Sequence, residues 1–426
     1  MIDSGNFEDV KREIEYAYQH ARFFRNHIDE SGIVPDAIDS VQAFKRLPVT
    51  RKMHYRKNYP FGVLAAGYTL NSPHVMRFQS SGTSGERLNS AIFSFDLARR
   101  QATSLSVNEK FNSLWLPGKK LKLCRYAPPN CSDVECGIGL STMEERTLAD
   151  GTLVLPVAHD LLATPLRMIN QALDEIALYN PDILVVDPTH LAFLTRQAAK
   201  LGRTISSSNK LHIICGYTQL THVARRQITQ FFGDDVPVGN MLGMSELGYL
   251  GFECHHGSLH LNNQDYFVEL LANGEDVQEN QPGELVISTI DDGLIPRIRY
   301  ATGDLYRFVA GSCTCGSTLP RVVIEGRATQ NLLVGNRSIS PTDLDSAVGD
   351  APGIDLYKME QNQAGKFTFR FIANEQFNAL TLARIKDVVG TLIGTDDIEY
   401  LSVDYIPCER SGKFQSCISQ FHEVKP

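Results

Sequence analysis

The chain has no stretch of 18 consecutive apolar residues, no cationic start leading into an apolar run, and no clustered basic tract. The first absence leaves nothing long enough to cross a bilayer as a helix. The second removes the pattern of a secretory leader, because the N-terminus MIDSGNFEDVKREIEYAYQHARFF carries acidic residues from its third position. The third, together with a formal net charge of −8, argues against a nucleic-acid or anionic-membrane partner. A disulfide framework is also missing: the nine cysteines are odd in number and unevenly spaced. They suit a reducing cytoplasm, the expected location. No internal repeat or low-complexity tract occurs. What is left is a 426-residue, 42 % hydrophobic chain, long enough for a large domain plus a smaller one and suited to small molecules.

Apolar residues at Phe7, Val10, Ile14, Ala17, Ala21 and Phe24 have helical spacing. From about 95 to 240, short apolar runs such as PDILVVDP (181–188) and KLHIICG (210–216) alternate with helical patterns such as THVARRQITQFF (221–232). That alternation predicts a mostly parallel sheet with helices on its faces, an α/β fold. Between 264 and 310, QDYFVELL, GELVIST and IPRIRY read as strands of a smaller antiparallel subdomain. After Glu325-Gly326-Arg327 a new α+β pattern starts, with FTFRFIA, LTLARIKDVVGTLI and IEYLSVDYI as strand, helix and strand. The expected division is a large domain over 1–327 and a small lid domain over 328–426.

Three short stretches carry candidate chemistry. SSGTSGER (80–87) is rich in glycine and hydroxyls, which turn backbone N–H groups toward one point and suit phosphate oxygens. It lacks the lysine of a Walker loop. NMLGMSELG (240–248) puts Ser245 and Glu246 just past a strand, where ligand sites open in α/β sheets and a glutamate can hold Mg²⁺. RIRYATGDL (297–305) presents Asp304 after a Thr-Gly turn, as a carboxylate able to accept two ribose hydroxyls.

In their order, SSGTSGER, LGMSELG, RYATGDL, EGR and RSGKFQS resemble the ANL superfamily of adenylate-forming enzymes. The preceding FKRLPVTRKMHYRKNYPFG (44–62) is similar to the phenylacetate–CoA ligase branch, with its CapK-like and coenzyme F390 synthetase-like members. The resemblance implies a large N-terminal domain of layered sheets and helices with a mobile C-terminal lid. It implies that Ser81, Gly82, Thr83, Ser84 and Gly85 wrap the phosphates of ATP, with Arg87 taking the charge of the absent loop lysine. It implies further that the motif Leu242 to Glu246, with Gly243 and Met244, is nucleotide-binding, that Ser245 lies near the α-phosphate or the substrate carboxylate, that Glu246 holds Mg²⁺, and that Asp304 accepts the ribose hydroxyls. Arg327 would meet the ribose or phosphates, while Gly216 and Tyr217 would flank the adenine or acyl group. Lys413 would bridge the reacting carboxylate and α-phosphate, two anions whose charge must be neutralised as they react.

The implied activity is conversion of an aryl or heteroaryl carboxylic acid to acyl-AMP with release of pyrophosphate, then transfer to a thiol, coenzyme A being expected. A carrier protein or an amine is the alternative acceptor, a degenerate nucleotide-binding protein the rival from another class, and a homodimer the oligomeric alternative. The acyl pocket is expected to draw on LCRYAPPNCS (123–132), including Arg125, and on Cys215 to Tyr217.

Cys254 in ECHHGSLH and Cys313 and Cys315 in SCTCGSTLP flank the β-rich segment. With His260 they would make a closed tetrahedral zinc site, structural because no position stays open; His256 competes as the fourth ligand. Some members of the branch are similar here and carry zinc. The remaining cysteines, 124, 131, 136, 215, 408 and 417, read as small apolar residues. Three features depart from the family pattern: Glu86-Arg87 stands where a lysine is common, Leu242 where a tyrosine is, and ATQN (328–331) where a hinge aspartate is.

Overall fold

A computed structural model describes residues 7–80, 87–115, 120–128, 141–205 and 210–421. They group into two compact units, each built from two pieces of chain: residues 1–113 with 241–324, and residues 114–240 with 325–426.

In the first unit, Val10, Ile14 and Ala17 form the buried stripe of the helix Phe7–His20. Ala21 then adopts extended backbone, φ −111° and ψ 109°, and a second helix runs over Arg22–Ser31. One continuous helix was the expectation from spacing. The break has a packing reason: Ala21, Phe23 and Phe24 are all buried, and near-consecutive positions cannot share one stripe of a straight helix.

The β-rich subdomain is antiparallel, as expected. Tyr266–Ala272 pairs with Pro282–Thr289, and that strand pairs with Tyr300–Val309. Of IPRIRY only Tyr300 is in a strand. Residues 290–299 form a packed loop instead, in which the Asp292 carboxylate accepts from the N–H groups of Leu294 and Ile295 and the Thr289 hydroxyl accepts from that of Arg297. Ile295 and Ile298 supply core, so the apolar pattern was a burial signal and not a strand signal.

The second unit contains the parallel sheet. Leu123–Tyr126, Ile183–Val186 and His212–Cys215 run side by side in parallel, with Leu153–Val154 and residues 238–240 at the two flanks. Helices Leu166–Tyr179, Pro188–Lys200 and His222–Phe232 connect them. Asp187 caps the second helix with Pro188 at its first position, and Thr221 caps the third.

The last hundred residues have a sheet and core of their own. Ile398–Ser402, Phe367–Ala373, Ile354–Gln361 and Cys417–Ser419 follow one another in a four-stranded sheet. Helices Pro341–Val348 and Ala379–Ile393 cover it around Leu344, Val348, Phe369 and Val389. The boundary expected at 327/328 falls where Arg321–Arg327 gives way to the 3-10 turn Ala328–Gln330. Among the described residues no helix is long and apolar enough to cross a membrane.

Candidate active site

The strand Val238–Met244, in the first unit from Met241 onward, is followed four residues after Met244 by the start of Gly248–Glu253, with Met244 opposite Gly248. Ser245 to Leu247 are therefore the turn of a hairpin. Gly248 has φ +79°, and a Cβ on it would come 2.8 Å from Leu97 Cδ1, so a larger residue there is strained and displaces the end of Leu97. Ser245 and Met244 are half-buried and Gly243 is exposed.

Glu246 is 3 % exposed. Its Oε1 accepts from the Tyr300 hydroxyl at 2.7 Å and pairs with Lys52 Nζ at 3.3 Å. Burial alone would raise its pKa, but the Lys52 ammonium, the Tyr300 hydrogen bond and the more distant Arg297 together hold it below the usual glutamate value. The same burial, with Glu246 beside it, pushes the Tyr300 phenol well above its ordinary value.

Neither Lys52 nor Tyr300 was singled out in the sequence. Both lie inside stretches that were, FKRLPVTRKMHYRKNYPFG and RIRYATGDL. The backbone ties those stretches together: Thr50 N donates to Arg299 O and Ala301 N donates to Thr50 O, each at 2.8 Å. That pairing delivers the start of helix Lys52–Asn58 to Glu246.

Asp304 is half-buried on Tyr300–Val309, after Gly303 at φ +83°. Its N–H donates to Thr302 Oγ1 at 3.1 Å. Arg87 Nη1 donates to Gln79 Oε1 at 2.7 Å, beside the pairing of Val75–Gln79 with Asn89–Phe93. Ser81, Gly82, Thr83, Ser84 and Gly85 lie outside the described residues.

The second unit holds Gly216, Tyr217, Arg327 and Lys413. Gly216 follows the strand His212–Cys215 and donates its N–H to Val186 O at 3.0 Å. Tyr217 has φ +68°, a left-handed conformation uncommon for an aromatic residue and typical of functional turns. Lys413 lies in a turn in which Glu409 N donates to Lys413 O at 2.9 Å and Gly412 N donates to Glu409 O at 2.8 Å. Gly412, at φ +78°, is pressed on Pro128 and His159: a Cβ there would come 2.6 Å from Pro128 Cβ. Burial raises the Glu409 pKa, opposed by Arg327, Lys358 and Lys413, whose charges converge on it.

Cys254, His260, Cys313 and Cys315 offer ligand atoms that all lie within 4.8 Å of one another. Cys254 Sγ is 3.8 Å from Cys313 Sγ, and Cys315 Sγ is 3.5 Å from His260 Nε2. A regular tetrahedron with Zn–S of about 2.3 Å and Zn–N of about 2.0–2.1 Å has S···S and S···N edges of about 3.8 and 3.6 Å, so the donor set fits zinc. His260 Nδ1 is 2.7 Å from Leu319 O, which fixes the proton there and leaves Nε2 as the ligand atom. A Cβ on Gly251 would lie 2.0 Å from His260 O, so only glycine lets the strands bring His260 in. Burial raises both half-buried thiols, but hydrogen bonds from the Cys315 backbone and thiol, His260 and Cys254 draw Cys313 down to about 6, while burial and its thiol neighbours push Cys315 up to about 11. His256 does not join; its ring lies 4.1 Å from that of His255.

Among the other cysteines, Cys124, Cys215 and Cys417 are buried and Cys408 is half-buried. Burial raises the thiol pKa of Cys124, Cys408 and Cys417, as suits inert apolar residues. Arg125 lies on Leu123–Tyr126. Residues 129–140, with Cys131 and Cys136, fall outside the described residues.

No protein-family profile matches the chain. It is similar to a phenylacetate-coenzyme A ligase of Thermus thermophilus, with 26 % identity over 356 residues, 82 % of this chain and 75 % of that one. It is also similar to a phenylacetate-coenzyme A ligase of Escherichia coli, with 24 % identity over 91 % of this chain and 88 % of the other. Among solved structures, a 2-hydroxyisobutyryl-CoA ligase in complex with its acyl-AMP matches 98 % of this chain and 88 % of its own, with a TM-score of 0.71 and 18 % identity. An anthranilate CoA ligase with anthranoyl-AMP gives a TM-score of 0.52 over 80 % of this chain and 65 % of its own, at 16 % identity. The fold is that of these ligases.

Proposed function

We infer that this chain is an AMP-forming acid–thiol ligase of the ANL superfamily, on the phenylacetate–CoA ligase branch. The carrying observation is the likeness to phenylacetate-coenzyme A ligases over most of both chains, joined to an ionised, buried Glu246 on a hairpin turn.

In the reaction, the substrate carboxylate attacks the α-phosphorus of ATP, the bond to the β-phosphate oxygen breaks, and pyrophosphate leaves. A thiolate then attacks the acyl carbon and AMP leaves. Glu246 would hold Mg²⁺, which when bound would supply positive charge at the phosphates. Lys52 and Tyr300 both bind its Oε1 and so fix the carboxylate in one orientation. Ser245 meets the α-phosphate, and Asp304 accepts the ribose hydroxyls. Arg327 and Lys413 bring cationic charge to the carboxylate and α-phosphate, with Lys413 carried on the small domain 328–426. Ser81 to Gly85 and Arg87 receive the β- and γ-phosphates. Gly216 and Tyr217 border the acyl group.

The acid is aryl or heteroaryl and the thiol is coenzyme A, a reading supported by the names of the relatives. The fit of the Cys254, His260, Cys313 and Cys315 set supports a structural zinc.

Pyrophosphate–ATP exchange across a panel of aryl acids tests the function. Exchange with at least one acid is expected, falling by about 100-fold or more in Lys413→Ala and in Glu246→Gln, because each removes charge stabilisation specific to the transition state. Measurable ATP binding with no exchange for any acid would instead mark a nucleotide-binding protein without ligase activity.

A further inference from the structure

We propose that Glu284, held by Arg51, is a positioning residue for nucleotide binding: it fixes the turn that presents Asp304 to the ribose. This deepens the ligase reading and rests on the ribose contact which that reading gives Asp304.

The strands Pro282–Thr289 and Tyr300–Val309 pair residue for residue from Pro282 opposite Arg307 to Glu284 opposite Leu305, and again from Val286 opposite Ala301. Between those points Leu285 alone faces Thr302, Gly303 and Asp304. The surplus on one strand is a bulge, which interrupts the ladder and re-aims a side chain, as bulges beside active sites do. Side chains take up the N–H groups that the ladder loses here. Thr302 Oγ1 donates to Leu285 O at 2.9 Å and accepts from Asp304 N at 3.1 Å. Gly303, in the left-handed region, donates its N–H to Glu284 Oε1 at 3.2 Å.

Glu284 is itself held from the far side. Arg51 Nη1 donates to its Oε1 at 2.9 Å and Nη2 to its Oε2 at 3.1 Å, a bidentate grip that fixes the plane of the carboxylate as well as its place. Arg51 follows Thr50, which is bonded to Arg299 and Ala301 in the approach to the bulge. Its own backbone is extended, φ −137° and ψ 164°, so its side chain and that of Lys52 diverge. Lys52 reaches Glu246 while Arg51 reaches Glu284. One short segment thus steadies both carboxylates that the ligase reading assigns to the nucleotide, Glu246 directly and Asp304 through Glu284.

Stability gives a poor account of this arrangement. The Arg51 and Glu284 side chains are 51 % and 23 % exposed, and ion pairs so open to water contribute little to folding. Gly303 is exposed too, so water would satisfy its N–H if Glu284 were absent. What the carboxylate adds over water is a fixed direction for the bulge, and a ribose contact needs that because its hydrogen bonds weaken steeply with misalignment.

The test is equilibrium binding of ATP, 2′-deoxy-ATP and 3′-deoxy-ATP in the presence of Mg²⁺, measured by calorimetry. The intact chain is expected to bind ATP about tenfold or more tightly than at least one deoxy analogue, the worth of a hydrogen bond to a charged acceptor. In Glu284→Ala that ratio falls to within about threefold of unity, while Kd for the same analogue stays within about threefold of its value in the intact chain. Glu284→Gln, which keeps an acceptor for the Gly303 N–H, retains part of the ratio. In an Asp304→Ala background Glu284→Ala has no further effect on it. An unmoved ratio in Glu284→Ala, or an equal loss of affinity for all three nucleotides, would make Glu284 a structural residue only. An intact chain that binds the deoxy analogues as well as ATP, or binds no ATP, overturns the ribose role of Asp304 and this proposal with it, whether or not the variants fold. Because binding needs no acid, a chain that shows these ratios yet exchanges pyrophosphate with no acid loses the ligase reading and still supports the positioning role of Glu284.

Discussion

Glu246 shows how a residue's role is set by what reaches it from elsewhere in the chain. The Ser-Glu pair past a strand was legible in LGMSELG as a turn, and its candidate role came from the order of that stretch among the other motifs. The Lys52 and Tyr300 contacts were not, since 194 and 54 positions in sequence separate them from Glu246 and only the Thr50 to Ala301 pairing closes the gap. A carboxylate whose folded pKa is depressed adds stability above its unfolded value, and that stability is lost as pH falls through the folded pKa. Lys52→Met removes the main compensation and leaves the charge buried. A loss of about 3 kcal/mol at pH 7 is expected from urea unfolding, shrinking as pH falls through the glutamate range and both forms become protonated. A deficit constant from pH 7 to pH 3.5 would show that Lys52 acts by packing alone.

At the scale of elements, strands and helices with clean periodicity were readable, and packed loops were not. FTFRFIA matches Phe367–Ala373 because its alternation reflects a sheet with one face on a core. IPRIRY failed because alternating apolar residues can equally fill a core from a loop whose backbone is satisfied by Asp292 and Thr289. The cysteine cluster lies between these cases. Cys313 and Cys315 are only two residues apart in sequence, but choosing His260 over His256 depended on strand register, which sets Arg321 opposite His260 and Phe252 on its other side. The two turns that carry the thiols have little apolar packing of their own, so the metal would be their main tie. About one zinc per chain is expected by elemental analysis, and Cys315→Ser is expected to lose it and lower Tm by about 5 °C or more. A metal-free preparation with unchanged Tm would refute a structural zinc.

At the scale of the molecule, the second unit joins residues 114–240 to the last hundred residues by apolar and polar contacts together: Leu356, Ile406 and Phe414 share a buried core with residues between Cys124 and Ile228. His222 N donates to Asp345 Oδ1 at 3.0 Å and its Nδ1 lies 2.7 Å from Oδ2, an interaction that raises the His222 pKa. Arg226 Nη2 donates to Ile354 O at 2.8 Å, and Arg196 and Gln227 both reach Asp355. Opening this interface uncovers Leu356, Ile406 and Phe414 as well as breaking the polar contacts, so the polar contacts supply part of the docking. In the docked arrangement Gly412 is pressed on Pro128 and His159, which keeps the Lys413 turn at the strand ends where the acid is proposed to bind. With the role proposed for Lys413, docking is expected to favour adenylation. Loosening it with His222→Ala and Arg226→Ala together should slow acid-dependent pyrophosphate exchange by about tenfold, the equivalent of 1.4 kcal/mol of lost docking. Transfer from preformed acyl-AMP to coenzyme A should be unchanged or faster in the same variant, measured in single turnovers. The two half-reactions separate the explanations: a variant that is merely less stable slows both, whereas a shifted docking equilibrium slows only the first.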